Sequence, residues 1–146
     1  VGIPVLFATQ PWPEQGRLTF ALGPGGLSFP PEVYPFRAAR PTEAEAAYRG
    51  YIARLLRITA PEAGAEETAT RVFAFETQLA QASANPPDQP PRVVARAELQ
   101  NETPSLPWAK FFDGLGLPPD FPLALAHPAF FTALERILSM KDEHLW

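Results

Sequence analysis

Hydrophobic residues along this chain follow two rhythms. Near the start they alternate, as in Leu18, Phe20 and Leu22, and the pattern predicts strands over Val1 to Ala8 and Arg17 to Leu22. A Pro/Gly-rich connection at 11–16 lets them pair as a hairpin, and residues 23–41 then read as an irregular crossing loop. From residue 42 the period lengthens. Thr42 with Glu45 three residues on has the capping-box pattern, and Ala44, Ala47/Tyr48, Tyr51/Ile52 and Leu55/Leu56 make one apolar stripe, with Arg49, Arg54 and Arg57 off it. Ala69, Val72/Phe73, Glu76, Leu79/Ala80 and Ser83 form a second helical face, which Pro86-Pro87 ends. Two shorter helices follow. Pro107 opens one whose stripe is Trp108, Phe111, Phe112 and Leu115, with Gly116 as its stop. Pro128 opens the other, carrying Phe130/Phe131, Leu134 and Ile137/Leu138. Ala95 to Gln100 reads as one more short helix and Phe121 to Ala126 as a short extended segment. The fold class is therefore mainly α: a helical domain of about four to five helices with a short N-terminal β-hairpin. The expectation is one domain over 1–146, with hairpin and crossing loop in 1–40 and the helical part in 41–146.

Composition adjusts this picture in one respect. The chain has 19 prolines in 146 residues, which on its own suggests a linker or disorder. Pro and Gly together stay near 19% of the chain, below the roughly 25–30% of low-complexity chains, and 46% of residues are hydrophobic. The prolines also avoid the windows 42–60 and 62–85, where the long helices are expected, so they act as punctuation. Net charge is −4 without a basic run, which disfavours a nucleic-acid or anionic-membrane surface. No stretch of 18 apolar residues predicts a membrane span, and no leader-like start is visible. The start at Val1 without Met, and an end inside a helical pattern without a C-cap, lead us to expect an excised or partial piece of a longer protein. Zero Cys excludes disulfides, thiol catalysis and Cys-ligated zinc within this stretch.

Candidate chemistry is sparse. A helix-borne zinc site needs H-E-x-x-H, but the two histidines, His127 and His144, lie far apart, and Glu143-His144 is not that motif. His127, directly before Pro128, fits a capping role. None of Ser28, Ser83, Ser105 and Ser139 lies in G-x-S-x-G. Gly-Pro-Gly-Gly at 23–26 lacks the phosphate-loop pattern and reads as a turn needing positive φ. The aromatic set Trp108, Phe111, Phe112, Phe130 and Phe131 reads as core before ligand cage. Glu76 stands out, a carboxylate on the apolar face of the second helix. It must be paired, hydrogen-bonded or protonated, and a structural anchor is the better reading than a catalytic acid. The sequence nominates no catalytic, cofactor-binding or metal-binding residue in this segment.

Several phrases, in order, resemble the neprilysin-type zinc metallopeptidases, the family of neprilysin, endothelin-converting enzyme and bacterial oligopeptidase O. Gly25-Gly26-Leu27-Ser28-Phe29-Pro30 with Val33-Tyr34-Pro35-Phe36 resembles the turn G-G-L-x-L-P-x-x-x-Y-Y, with Pro35 in place of the second Tyr. Tyr48, Ile52, Leu55 and Leu56 fit Y-x-x-x-I-x-x-L-L, and Phe75 to Ala80 fits L-E-x-x-L-A with Glu76 as its acid. Leu99 with Pro104 to Trp108, Pro128 to Phe131, and Lys141 to Trp146 are similar to three later phrases, while Asn85 to Val94 departs from the pattern. The resemblance implies the N-terminal, non-catalytic region of such a peptidase, a lobe that closes over the catalytic lobe and restricts access to short peptides. The zinc ligands would lie in the parent's catalytic lobe, outside this stretch. The implied partners are that lobe of the same polypeptide and, through it, a peptide substrate. The implied location is periplasmic or secreted. Two other readings stay open: a stand-alone helical interaction module without activity, and a small enzyme built on Glu76.

Overall fold

The computed structural model describes residues 7–14, 17–31, 34, 42–62, 64–84 and 91–140. Among them it has five helices and four strands, so the chain is mainly helical with a small sheet. Packing divides it into two compact units, with boundaries after Gly26 and after Ala84.

The first unit holds the sheet and three short helices. β1 (Phe7–Glu14) and β2 (Arg17–Pro24) pair antiparallel, with Phe7 opposite Pro24 and Glu14 opposite Arg17. The hairpin is as expected, and among the described residues its first strand runs on past the expected end at Ala8 to Glu14. The segment 11–14, expected as connection, is strand, and the early part of the expected strand, 1–6, lies outside the described residues. Pro11 and Pro13 are compatible with this because β1 is an edge strand in the order β1-β2-β4-β3. β2 continues two residues beyond Leu22, and the intervening Thr19 and Ala21 are buried as well as Leu22. β4 (Leu123–Leu125) lies parallel to β2, Phe20 against Leu123, and β3 (Arg92–Val94) runs antiparallel to β4. All three residues of β4 are fully buried.

α3 (Arg96–Glu102), α4 (Trp108–Gly114) and α5 (Pro128–Ser139) supply the core of this unit. Trp108, Phe112, Phe130 and Phe131 are fully buried, and the Trp108 and Phe112 rings stack at 5.6 Å. Four of the five aromatics are therefore core, and Phe111 lies partly buried beside Trp108, with ring centres 6.1 Å apart. Trp108 Nε1 donates to Thr103 Oγ1 at 2.7 Å, and that hydroxyl donates to Leu99 O at 2.8 Å, so the polar edge of the indole is satisfied inside. Leu115 departs from its expected stripe: it is the C-cap of α4 and about half exposed, because the helix stops before a further turn can carry it inward. Gly116 follows at φ 67°, the left-handed position that ends a helix.

The second unit is a pair of longer helices, α1 (Glu43–Thr59) and α2 (Ala65–Ala84), with Leu27, Phe29 and Tyr34 packed on it. Thr42 Oγ1 accepts from Glu45 N at 3.1 Å, the expected cap, and Glu43 and Glu45 place negative charge in the first turn. Ala53, Ala65 and Ala69 form the close contact of the two helices, with Ile52 and Leu56 beside them. The predicted α1 stripe splits here. Its Ile52 and Leu56 edge packs, while Ala44, Ala47, Tyr51 and Leu55 stay exposed. The Pro86-Pro87 stop, His144, and the Lys141 to Trp146 phrase lie outside the described residues, as do residues 35–41 of the crossing loop.

Candidate functional site

Glu76 is the centre of the one polar cluster that the sequence singled out. α2 presents it on the face shared by Phe73 and Ala80, and only 8% of the residue is exposed. Three hydroxyls, two from the loop before α1 and one from α1, converge on it. Tyr34 Oη donates to Oε2 at 2.7 Å, and Tyr48 Oη and Ser28 Oγ donate to Oε1 at 2.8 and 3.0 Å. Ser28 Oγ also touches Tyr48 Oη. Each carboxylate oxygen is therefore satisfied, which is the condition for keeping such a group inside.

The cluster reaches further through Tyr34. Its Oη accepts from Ser28 N at 3.1 Å and Phe29 N at 3.3 Å while donating to Glu76. One phenol thus ties a loop backbone to a helix carboxylate. Gly26, at φ 78°, supplies the turn that brings Leu27 and Ser28 to this point, so the glycine-rich stretch is a positive-φ turn as expected. Apolar rings enclose the polar atoms. Tyr34 stacks on Phe73 at 5.8 Å, and Phe29 meets Tyr48 edge-on at 5.0 Å. Burial first, then the hydrogen bond to Glu76, raises the Tyr34 phenol well above its ordinary value. Burial pushes Tyr48 up to about 12, with Glu76 adding to the shift and the Ser28 hydrogen bond opposing it.

This arrangement suits an anchor, because its polar atoms are engaged with one another. A serine nucleophile needs a free base and nearby donors for an oxyanion, but the Ser28 N–H is already given to Tyr34 and the carboxylate accepts from two tyrosines as well. The other serines are engaged too. Ser83 Oγ donates to Leu79 O, Ser105 Oγ to Glu135 Oε1 at 2.7 Å, and Ser139 Oγ to Arg136 O. His127 is 5% exposed and its Nδ1 accepts from Phe130 N at 3.1 Å, the N-cap of α5 as the sequence suggested. A groove of about 300 Å³ between α1 and α2 is floored by Ala46, Gly50, Ala53 and Ala69, and its arginines are held by Glu45 and Thr70 on one side and Glu66 on the other.

The neighbours of Glu76 are hydroxyls rather than imidazole or further carboxylates, and among the described residues no three His, Cys, Asp or Glu side chains come together. Sequence reasoning found Glu76 but missed its partners. Their signal was present: Ser28 and Tyr34 belong to the turn phrase, Tyr48 opens the next phrase, and Glu76 is the acid of the third. Three phrases far apart in sequence meet at one carboxylate.

Comparison with known proteins then places the chain. Residues 2–146 match the N-terminal region of peptidase family M13. Two solved structures of the Mycobacterium tuberculosis zinc metalloprotease Zmp1 are similar to it. The inhibitor complex aligns with TM-score 0.72 and 25% identity over 89% of this chain and 21% of that one. The open state aligns with TM-score 0.79 and 22% identity over 97% of this chain and 24% of that one. The chain thus spans less than a quarter of either solved structure. Comparison with curated proteins returns no match.

Proposed function

The chain belongs to peptidase family M13, and from that membership we propose that it is the non-catalytic N-terminal lobe of a zinc metalloendopeptidase. In this reading the lobe closes over the catalytic lobe of the same polypeptide and limits the cleft to short peptides. The observation that carries the reading is the match of residues 2–146 to the family's N-terminal region. The absence of a zinc-competent side-chain cluster among the described residues is compatible with it, and so is a Glu76 cluster spent on holding a loop to two helices. No residue of this chain is assigned to the scissile bond; zinc and the groups acting on it belong to the catalytic lobe. The extracytoplasmic location implied by the family resemblance is part of the same proposal. Among the described residues no helix is long and apolar enough to cross a membrane.

The test is direct. The purified 146-residue chain, dialysed against zinc, is assayed for bound metal and for peptide cleavage. We expect less than about 0.1 zinc per chain and no turnover. One zinc per chain together with cleavage contradicts the assignment and favours the small-enzyme reading.

A further inference from the structure

α1 carries two apolar faces, and its fold uses one. Ile52, Ala53 and Leu56 pack toward α2. On the other side Ala44, Ala47, Tyr51, Leu55 and Ile58 fall within roughly 80° of arc at about 100° per residue. Of these, Tyr51 is 51% exposed, Leu55 43% and Ile58 80%. Isolated exposed apolar residues are ordinary on a protein surface, but a continuous stripe of three large ones along one helix is the pattern of a surface that another element covers. Arg54 borders the stripe and has no ion-pair partner among the described residues.

What covers it follows from length. The aligned solved structures are more than four times as long as this chain, so a protein built like them has most of its polypeptide outside the residues seen here. We infer that the Tyr51–Leu55–Ile58 face of α1 is where the remainder of the peptidase chain packs on the helix pair, with an acidic side chain of that remainder opposite Arg54. This rests on the reading of the chain as one lobe of a longer peptidase. A second copy of the chain is the competing occupant. A helix needed only for its own unit would carry polar residues on this side, as α2 does with Glu67, Arg71 and Gln78.

Cysteine accessibility in the full-length peptidase tests it, since this region has no native Cys to interfere. With any cysteines elsewhere replaced, Leu55→Cys and Ile58→Cys are compared with Glu67→Cys, a control on exposed α2, for reaction with a small thiol reagent. We expect the first two to react at least tenfold more slowly than the control in the native enzyme, and all three alike in denaturant. Equal native rates overturn the inference. Protection that disappears on dilution places a second copy on the face and overturns it too. Peptide-length selectivity measured on the same preparations reports separately on the lobe's role. A face protected at all concentrations, in an enzyme that cleaves long and short peptides alike, upholds the packing surface and removes only the size limit.

Discussion

Tyr34 Oη is the node of the Glu76 cluster, donating one hydrogen bond to the carboxylate and accepting two from backbone N–H groups. Removing it strands three partners at once, whereas removing the Tyr48 hydroxyl leaves Oε1 still bonded to Ser28. Leaving a buried polar group unsatisfied costs about 1–3 kcal/mol; among the three the carboxylate is buried, while Ser28 is exposed and Phe29 partly buried, so their N–H groups add less. We therefore expect Tyr34→Phe to cost about 3 kcal/mol and Tyr48→Phe about 1 kcal/mol in urea unfolding; the reverse order would remove Tyr34 from the centre of the network. The same residues set an alkaline limit. Their folded pKa values lie above the ordinary tyrosine value of 10.0, so the stabilisation is complete below about pH 10 and is lost as pH rises toward the folded values, about 12 for Tyr48. Unfolding free energy should fall over pH 10–12, and fall less steeply in a Tyr34→Phe/Tyr48→Phe double variant; identical slopes would show that the cluster does not carry the effect. Glu76 was legible in the sequence because a carboxylate on an apolar helical face has to find partners. Which hydroxyls answered it was not, because no local pattern brings Ser28, Tyr34 and Tyr48 to one point.

At the scale of elements, helix starts were the most readable features, since capping is local chemistry. Thr42 and the His127-Pro128 pair cap α1 and α5 as their sequences suggest. His127→Ala should cost about 1 kcal/mol of stability, with His127→Asn recovering most of it, because the side chain acts by accepting one N–H. Thermal unfolding of the two variants decides; an equal loss in both points to packing of the ring rather than the cap. Strands were less readable. β1 runs through Pro11 and Pro13, which is admissible only on an edge, and edge position is a property of the sheet. β3 is three residues long, too short to show alternation, and the parallel pairing of β2 with β4 joins segments about a hundred residues apart. The α1 stripe was read as one face and proved to be two, because periodicity reports which positions are apolar and not how many surfaces cover them.

At the scale of the whole molecule, family membership was legible because ordered phrases span the chain, and residues 2–146 match as one stretch. The split into two packed units was not, because one of them joins the N-terminal hairpin to residues after Ala84. The lobe's action on substrate is the central claim, and a peptide ladder tests it most directly. One scissile sequence is embedded in peptides from about 10 to 60 residues and presented to the full-length peptidase and to a Glu76→Ala variant, in which the loop is no longer tied to the helix pair. The expected result is that kcat/KM of the parent falls at least tenfold across the ladder, while the variant keeps its rate on short peptides and shows a shallower fall. A parent enzyme whose kcat/KM is flat with length would contradict the account.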